Sequence, residues 1–274
     1  MPQQVPWLRE FHAGQRSKGT GPEETLVMFP HAGGSASSFR AYSAALSSHC
    51  RVLCVQYPGR QDRVRDTLVG DVQGLARGVA ADIARLEDGP IAFFGHSMGA
   101  VVAFEAARLL QQADGRGPAR LFASGRAAPA RPPRGTTPLV HLMSDADLTA
   151  HLRQSTATDP RVAADPDLLE VVLPPLRSDY RAVETYSCPP GRQIACPVTV
   201  LVGDKDPLVP LENAAAWAEH TSADCELVTF PGGDHFYLLP SHDRVVEVIT
   251  DRLGRTPAAA PAARNGRSTR HVEP

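Results

Sequence analysis

Residues 91–100 read IAFFGHSMGA, and this stretch indicates the fold more strongly than any other. The apolar run at 91–94 predicts a buried strand, and the alanine-rich residues that follow predict a helix running towards Leu110. Between them, Gly-x-Ser-x-Gly places Ser97 on a tight turn that exposes its hydroxyl above a sheet. Glycines at 95 and 99 suit such a turn because side chains there would clash with neighbouring backbone. The context therefore predicts that Ser97 is a nucleophile.

Short β-rich runs alternate with helical patterns along the rest of the chain. The predicted strands are residues 25–30, 51–56, 91–95, 121–124, 198–202 and 226–230. The other predicted helices are residues 72–86, 146–154, 168–186, 211–220 and 243–253. This alternation predicts an α/β fold with a mostly parallel central sheet and helices on both faces.

Two boundaries divide the chain into three segments. We expect an N-terminal extension over residues 1–20, one domain over 21–254, and a disordered Ala/Pro/Arg-rich tail over 255–274. Residues 127–191 interrupt the alternation and predict a helical lid insertion, with a fixed packing layer as the alternative. Pro174 and Pro175 should break or kink the second lid helix.

The composition excludes several classes of protein. The 274 residues are 42% hydrophobic with a formal net charge of −2, so we expect neither nucleic-acid nor membrane binding. No apolar stretch reaches the length of a membrane span, and we find no signal peptide. The five cysteines are an odd number without CxxC spacing, which favours a reducing cytoplasm.

A serine nucleophile needs a histidine base, and His235 is the best placed of ten histidines. It lies in the glycine-bearing loop 231–236, PGGDHF, directly after a late predicted strand. We expect His220 and His242 to be surface or capping residues at helix ends. His96, beside Ser97, is interpreted as structural.

The acid that orients the histidine should follow an earlier strand. Residues 203–207 read GDKDP and offer Asp204 and Asp206. Asp204 can stabilise the turn itself, whereas Asp206 lies further out on a loop stiffened by proline, so we favour Asp206. The resulting order, Ser97, Asp206, His235, is that of the α/β-hydrolase fold.

Residues 30–34 read PHAGG, follow the first predicted strand and open a helix. Small residues there allow a backbone N–H to approach an oxyanion together with the amide of Met98, although a plain turn is the alternative. A phosphate loop is disfavoured because no Gly-Lys-Ser/Thr follows. His31 has no companion ligands at metal-site spacing, and we predict neither a metal nor a cofactor.

Together these motifs resemble the type II thioesterases, stand-alone partners of polyketide synthases and non-ribosomal peptide synthetases. The matching runs are FPHAGGSA (29–36), QYPGRQDR (56–63), FGHSMGA (94–100), LRSDY (176–180), GDKDP (203–207) and GGDHFY (232–237). The resemblance covers about residues 7–253. It implies an α/β-hydrolase fold, Asp206 as the triad acid and Ala32 as the source of the first oxyanion amide.

The resemblance also implies an activity: removal of stalled acyl groups from the phosphopantetheine arm of acyl or peptidyl carrier proteins. A general serine esterase or acyltransferase, a haloperoxidase-like enzyme and a non-catalytic binding protein on the same fold are the alternatives. Arg60 and Arg63 are candidates for contacts with the arm or the carrier, but a solvated loop is the favoured interpretation of both.

Overall fold

A seven-stranded sheet lies at the centre of the structure, a computed structural model that describes residues 7–13, 24–86, 89–131, 139–154 and 160–253. In chain order the strands are β1 (Leu8–Arg9), β2 (Thr25–Phe29), β3 (Arg51–Val55), β4 (Ile91–His96), β5 (Arg120–Ser124), β6 (Val198–Gly203) and β7 (Cys225–Phe230). Across the sheet they run β1-β3-β2-β4-β5-β6-β7. All neighbours are parallel except β1, which pairs antiparallel with β3.

Helices cover both faces of the sheet. They are α1 (Arg40–Leu46), α2 (Val72–Ile83), α3 (Met98–Asp114), α4 (Asp145–Gln154), α5 (Pro160–Ala164), α6 (Pro166–Glu184), α7 (Leu211–Ala215) and α8 (His242–Leu253). One apolar core packs α2 and α3 against the sheet, and a second packs α1 and α8 against the opposite face. The predicted α/β class with a mostly parallel sheet is therefore confirmed.

The helix layers on both faces of the sheet explain the hydrophobic patterns of the individual strands and helices. Strand β2 reads TLVMF and is buried along its whole length, as expected for a parallel strand with a helix layer on each side. Helix α8 is instead amphipathic: its apolar face is buried, and its charged residues lie on the other side. The buried residues are Val245, Val248, Ile249 and Leu253. Helix α2 begins after Asp71, whose carboxylate accepts a hydrogen bond from the Gly74 amide at 2.7 Å.

The six predicted strands are all present within two residues of their predicted ends. The helix predicted at 211–220 is shorter, because α7 gives way to a 3₁₀ turn over Ala216–His220. Strand β1 was not predicted, since two residues are too few to show an alternating pattern. Its register is fixed by Leu8 opposite Val55 and by the Gln56 amide, which donates to the carbonyl of Trp7 at 2.7 Å.

Helices α4, α5 and α6 lie between β5 and β6, within the predicted insertion, and share a small apolar core of their own. Of the break or kink expected at Pro174 and Pro175, the break is wrong, because α6 continues through both, and the kink stays a prediction. The two carbonyls that lose their helical donors belong to Glu170 and Val171, which are exposed to water. The predicted tail, 255–274, lies outside the described residues, as do parts of 1–20 and of the insertion.

Within the described ranges, no helix combines the length and the apolar character needed to cross a membrane.

Candidate active site

Three sheet strands deliver the candidate site residues to one edge of the sheet. Ser97 directly follows β4, Asp206 follows β6, and His235 lies in the loop after β7. Because these strands are parallel, their carboxyl ends lie at the same edge. Side chains that are more than a hundred residues apart in sequence therefore meet above the sheet.

The turn at Ser97 is strained. Its backbone has φ 54° and ψ −116°, a combination that non-glycine residues seldom adopt and that costs about 1–3 kcal/mol. A Cβ at Gly95 would lie 2.3 Å from the carbonyl oxygen of Gly99, and one at Gly99 would lie 2.0 Å from that of Phe29. The clash expected for side chains at both positions is therefore confirmed.

Ser97, His235 and Asp206 form a continuous hydrogen-bonded chain. The His235 Nε2 lies 3.0 Å from Ser97 Oγ, and its Nδ1 lies 2.8 Å from Asp206 Oδ2. An ionised carboxylate only accepts hydrogen bonds, so Nδ1 carries the proton and Nε2 is left to accept the proton of the serine hydroxyl. The Asp206 carboxylate is fully buried, and the His235 side chain is 13% exposed.

Asp204 has a different contact. Its Oδ1 accepts a hydrogen bond of 2.7 Å from the Gly232 amide, in the loop that carries His235. Of the two candidate acids, Asp206 is thus the one in contact with the imidazole, and Asp204 supports the position of the histidine loop. Asp206 is held in turn by the Leu208 amide, which donates to its Oδ1 at 2.8 Å.

Two backbone amides lie beside the nucleophile without an acceptor in the described part of the chain: those of Ala32 and Met98. Met98 is the first residue of α3, where amides point outward and the helix dipole is positive. The neighbouring Gly33 amide is already engaged, since it donates to Asp179 Oδ2 at 2.7 Å. The pair at 32 and 98 is therefore free to bind an oxyanion.

A cavity of about 870 Å³ opens onto this site, and Ser97 and His235 both line it. Helix α6 covers it with apolar side chains, among them Val172, Leu176 and Val183. A long hydrocarbon chain fits a cavity of this size and lining. Among the residues described, no group of three or more His, Cys, Asp or Glu side chains is arranged to hold a metal ion.

Comparison with known proteins identifies the family. The family model described as a thioesterase domain matches residues 24–253. The chain belongs to the thioesterase family. It is 44% identical over 259 residues to thioesterase PikA5 of Streptomyces venezuelae, covering 94% of this chain and 89% of PikA5.

Two solved structures are similar over nearly the whole chain. The type II thioesterase BorB from the borrelidin biosynthetic cluster has 42% identity and a TM-score of 0.80, covering 90% of this chain and 97% of BorB. The thioesterase RedJ from the prodiginine pathway of Streptomyces coelicolor has 32% identity and a TM-score of 0.76, covering 90% and 91%. The resemblance to type II thioesterases and the α/β-hydrolase fold are confirmed, and the chain is a serine hydrolase of the thioesterase class.

The solvated-loop interpretation of Arg60 and Arg63 is wrong. In this thioesterase Arg60 is buried and donates to Asp179 from Nη1 at 2.6 Å and from Nη2 at 2.8 Å. The guanidinium of Arg63 lies 4.4 Å from the ring centroid of Trp7 and donates to the carbonyl of Gln56 at 2.9 Å. The side chains of both arginines are therefore engaged by other residues of this chain and stabilise the loop that follows β3.

Two further histidines adjoin the site of the thioesterase. Burial, reinforced by the nearby His235 and Arg60, lowers the pKa of His31 to about 4. Burial also holds the pKa of His96 well below its usual range, again with a contribution from His235. The Nδ1 of His96 lies 2.9 Å from Ser124 Oγ, in keeping with its structural interpretation. His31 and His96 are therefore neutral near pH 7.

The sequence analysis assigned His220 and His242 to surface or capping positions. His220 is buried against Phe104 and Trp217, and its Nδ1 donates to the carbonyl of Arg192 at 2.8 Å, so the surface assignment is wrong. His242 is the first residue of α8 and is partly exposed. Neither contacts Ser97.

Sequence reasoning gave no role to two residues of the site. Asp179 lies within the LRSDY run used for the resemblance, but its pairing with Arg60, 119 residues away, has no local signal. Arg126 follows β5 and lines the cavity. The sequence could have indicated this residue, because Arg126 follows a strand that pairs with β4, and residues at the carboxyl ends of such strands face the site.

Proposed function

We propose that this thioesterase hydrolyses stalled or aberrant acyl groups from the phosphopantetheine arm of acyl or peptidyl carrier proteins in polyketide or non-ribosomal peptide synthesis. The observation that carries the proposal is the hydrogen-bonded chain Asp206–His235–Ser97 on the wall of a large, mainly apolar cavity. The similarity to a type II thioesterase from the borrelidin cluster supports the choice of substrate.

In the first half of the reaction Ser97 attacks the thioester carbonyl while His235 Nε2 takes the hydroxyl proton. The amides of Ala32 and Met98 donate hydrogen bonds to the oxyanion, and Asp206 stabilises the imidazolium. When the tetrahedral intermediate collapses, the C–S bond breaks. The thiol of the arm leaves with the proton from His235, and the acyl group stays on Ser97 as an ester.

In the second half a water molecule replaces the thiol. His235 takes one proton from this water as it attacks the ester carbonyl, and the same two amides bind the second oxyanion. Ser97 Oγ recovers its proton from His235, and the carboxylic acid leaves. Because His31 and His96 stay neutral near pH 7, His235 is the one histidine of this cluster that carries the proton between the steps.

The proposed partner is an acidic carrier protein. Of 28 basic residues only Lys18 and Lys205 are lysines, so the positive charge is supplied almost wholly by arginine, which binds phosphate with two hydrogen bonds. We place the enzyme in the cytoplasm. Its five cysteines are all unpaired, which suits a reducing compartment.

The test compares one acyl group on three thiols. We expect kcat/KM for a propionyl carrier protein to exceed that for propionyl-coenzyme A, which in turn exceeds that for propionyl-N-acetylcysteamine. The advantage of the carrier should shrink as salt rises, because exposed charge contacts are screened. Equal values for carrier and N-acetylcysteamine would make this a small-molecule thioesterase, and faster cleavage of oxygen esters would favour the general esterase.

A further inference from the structure

Arg126 lies on the wall of the cavity that contains the reacting groups. It follows Gly125 at the end of β5 and lines the same cavity as Ser97 and His235. A Cβ on Gly125 would lie 3.6 Å from Cε1 of His235, so the backbone leading to Arg126 packs against the base. The carbonyl of Ser124, two residues earlier, accepts the Ser97 amide at 2.8 Å.

The guanidinium of Arg126 has no hydrogen bond or ion pair to any residue that the structure describes, although its own carbonyl accepts the indole N–H of Trp217 at 2.9 Å. Other charged side chains on the cavity wall do have partners. Arg60 binds Asp179. The carboxylate of Glu184 accepts a hydrogen bond of 2.8 Å from the Val140 amide and a second from His141.

Arg126 is half-buried, and the surface it exposes faces the cavity that it lines. Burial lowers the pKa of its guanidinium to about 10, with nearby Tyr186 acting in the opposite direction. The side chain therefore stays protonated at neutral pH and has lost part of its hydration. A partly desolvated cation that has no partner among the described residues favours a ligand that supplies an acceptor.

We propose that Arg126 determines acyl specificity by donating hydrogen bonds to an oxygen at C3 of the acyl chain, so that 3-hydroxy and 3-oxo acyl groups are preferred. This inference rests on the proposed function. The oxygen is placed at C3 because Gly125, the residue before Arg126, packs against His235, so the Arg126 side chain begins on the part of the wall next to the reacting carbonyl. Valine and leucine side chains of α6 line the rest of the cavity and would hold the hydrocarbon beyond it.

The test uses butyryl, 3-hydroxybutyryl (both enantiomers) and 3-oxobutyryl groups on one carrier protein. In the wild type we expect kcat/KM for the better hydroxy enantiomer and for the oxo group to exceed that for butyryl by about tenfold, the effect of a hydrogen bond to a charged group. Arg126→Met should reduce that ratio to about one, because kcat/KM should fall more for the oxygenated groups than for butyryl. Arg126→Lys should retain part of the preference.

Arg131→Met is the matched control, because Arg131 is exposed and pairs with Glu219 away from the cavity. An equal loss on all acyl groups in Arg126→Met would mean that Arg126 binds the arm, and would overturn the proposal. A wild-type enzyme without preference for the oxygenated groups would overturn it even if the variants failed to fold. The carrier-to-N-acetylcysteamine ratio for butyryl tests the proposed function separately, since it does not involve the C3 oxygen.

Discussion

Arg60 and Asp179 form a buried ion pair with two hydrogen bonds, joining the loop after β3 to the middle of α6. The same carboxylate accepts the Gly33 amide, and the Arg60 guanidinium also donates to the Gly34 carbonyl at 2.9 Å. The helix above the cavity and the loop that carries the Ala32 amide are thus held by one pair of charges.

Removing one member of the Arg60–Asp179 pair should lower the free energy of unfolding. In Arg60→Met the Asp179 carboxylate stays buried without its cation, so we expect the free energy of unfolding to fall by about 3–5 kcal/mol. Urea denaturation followed by circular dichroism measures it. The control is Arg131→Met at an exposed pair, where the loss should be under about 1 kcal/mol. Similar losses in the two variants would contradict a structural role for the buried pair.

The triad assignment predicts a ranking of variants. Ser97→Ala should abolish labelling by a fluorophosphonate and lower kcat by about 10⁴-fold or more, and His235→Ala should be equally damaging. Asp206→Asn should lower kcat far more than Asp204→Asn, because Asp206 alone contacts the imidazole.

His242→Ala is the control for the triad variants and should retain near wild-type activity. Labelling that persists in Ser97→Ala would move the nucleophile elsewhere. A larger loss at Asp204 than at Asp206 would reverse the choice of acid.

We expect the insertion over residues 127–191 to act as a mobile lid. The ion pair between Arg60 and Asp179 should restrict this motion to the segments that precede Asp179. Amide hydrogen exchange should be fast in α4, α5 and the first half of α6, and slow around Asp179, which is anchored to Arg60. Mass spectrometry of peptides resolves these segments. Exchange in α4 as slow as in β4 and β5 would show a fixed wall.

His31 should make the protein less stable in acid. Its pKa is about 4 in the folded state against about 6.5 when unfolded, so the unfolded chain binds more protons between these values. The contribution of His31 is therefore complete above pH 6.5 and is lost as the pH falls towards 4. We expect the loss of unfolding free energy between pH 7 and pH 5 to be smaller in His31→Gln than in the wild type.

The difference between the two proteins is the quantity to compare, because other groups titrate in the same range. Burial raises the pKa of Glu24 to about 7, and that carboxyl group acts in the opposite sense, losing its contribution as the pH rises from 4.5 to 7. Identical curves for His31→Gln and the wild type would contradict a neutral buried imidazole.

The main sheet and the triad contacts were predictable from local patterns. Strands such as β2 and β4 are continuous apolar runs, and parallel strands share a carboxyl edge, so residues directly after β4, β6 and β7 must lie close together. The choice of Asp206 over Asp204 also followed from local geometry, because the residue further from the strand reaches further across the edge.

Contacts between distant segments were not predictable in this way. His220 looked like a surface residue at a helix end, but Phe104 of α3 packs over its ring from elsewhere in the chain. Arg60 looked solvated because its carboxylate partner is on α6. Proline was predicted to break the helix, but the residues whose carbonyls it frees, Glu170 and Val171, lie on the exposed side of α6.

The sheet order also has a consequence for how activity appears during folding. Strand β5 lies between the strands that carry Ser97 and Asp206, and β7 lies at the outer side of β6. The nucleophile and its base therefore meet only after β4, β5, β6 and β7 have paired in register across long loops, a slow step for parallel strands. A refolding chain should regain helical circular dichroism first and esterolytic turnover later, so enzyme activity reports completion of the sheet.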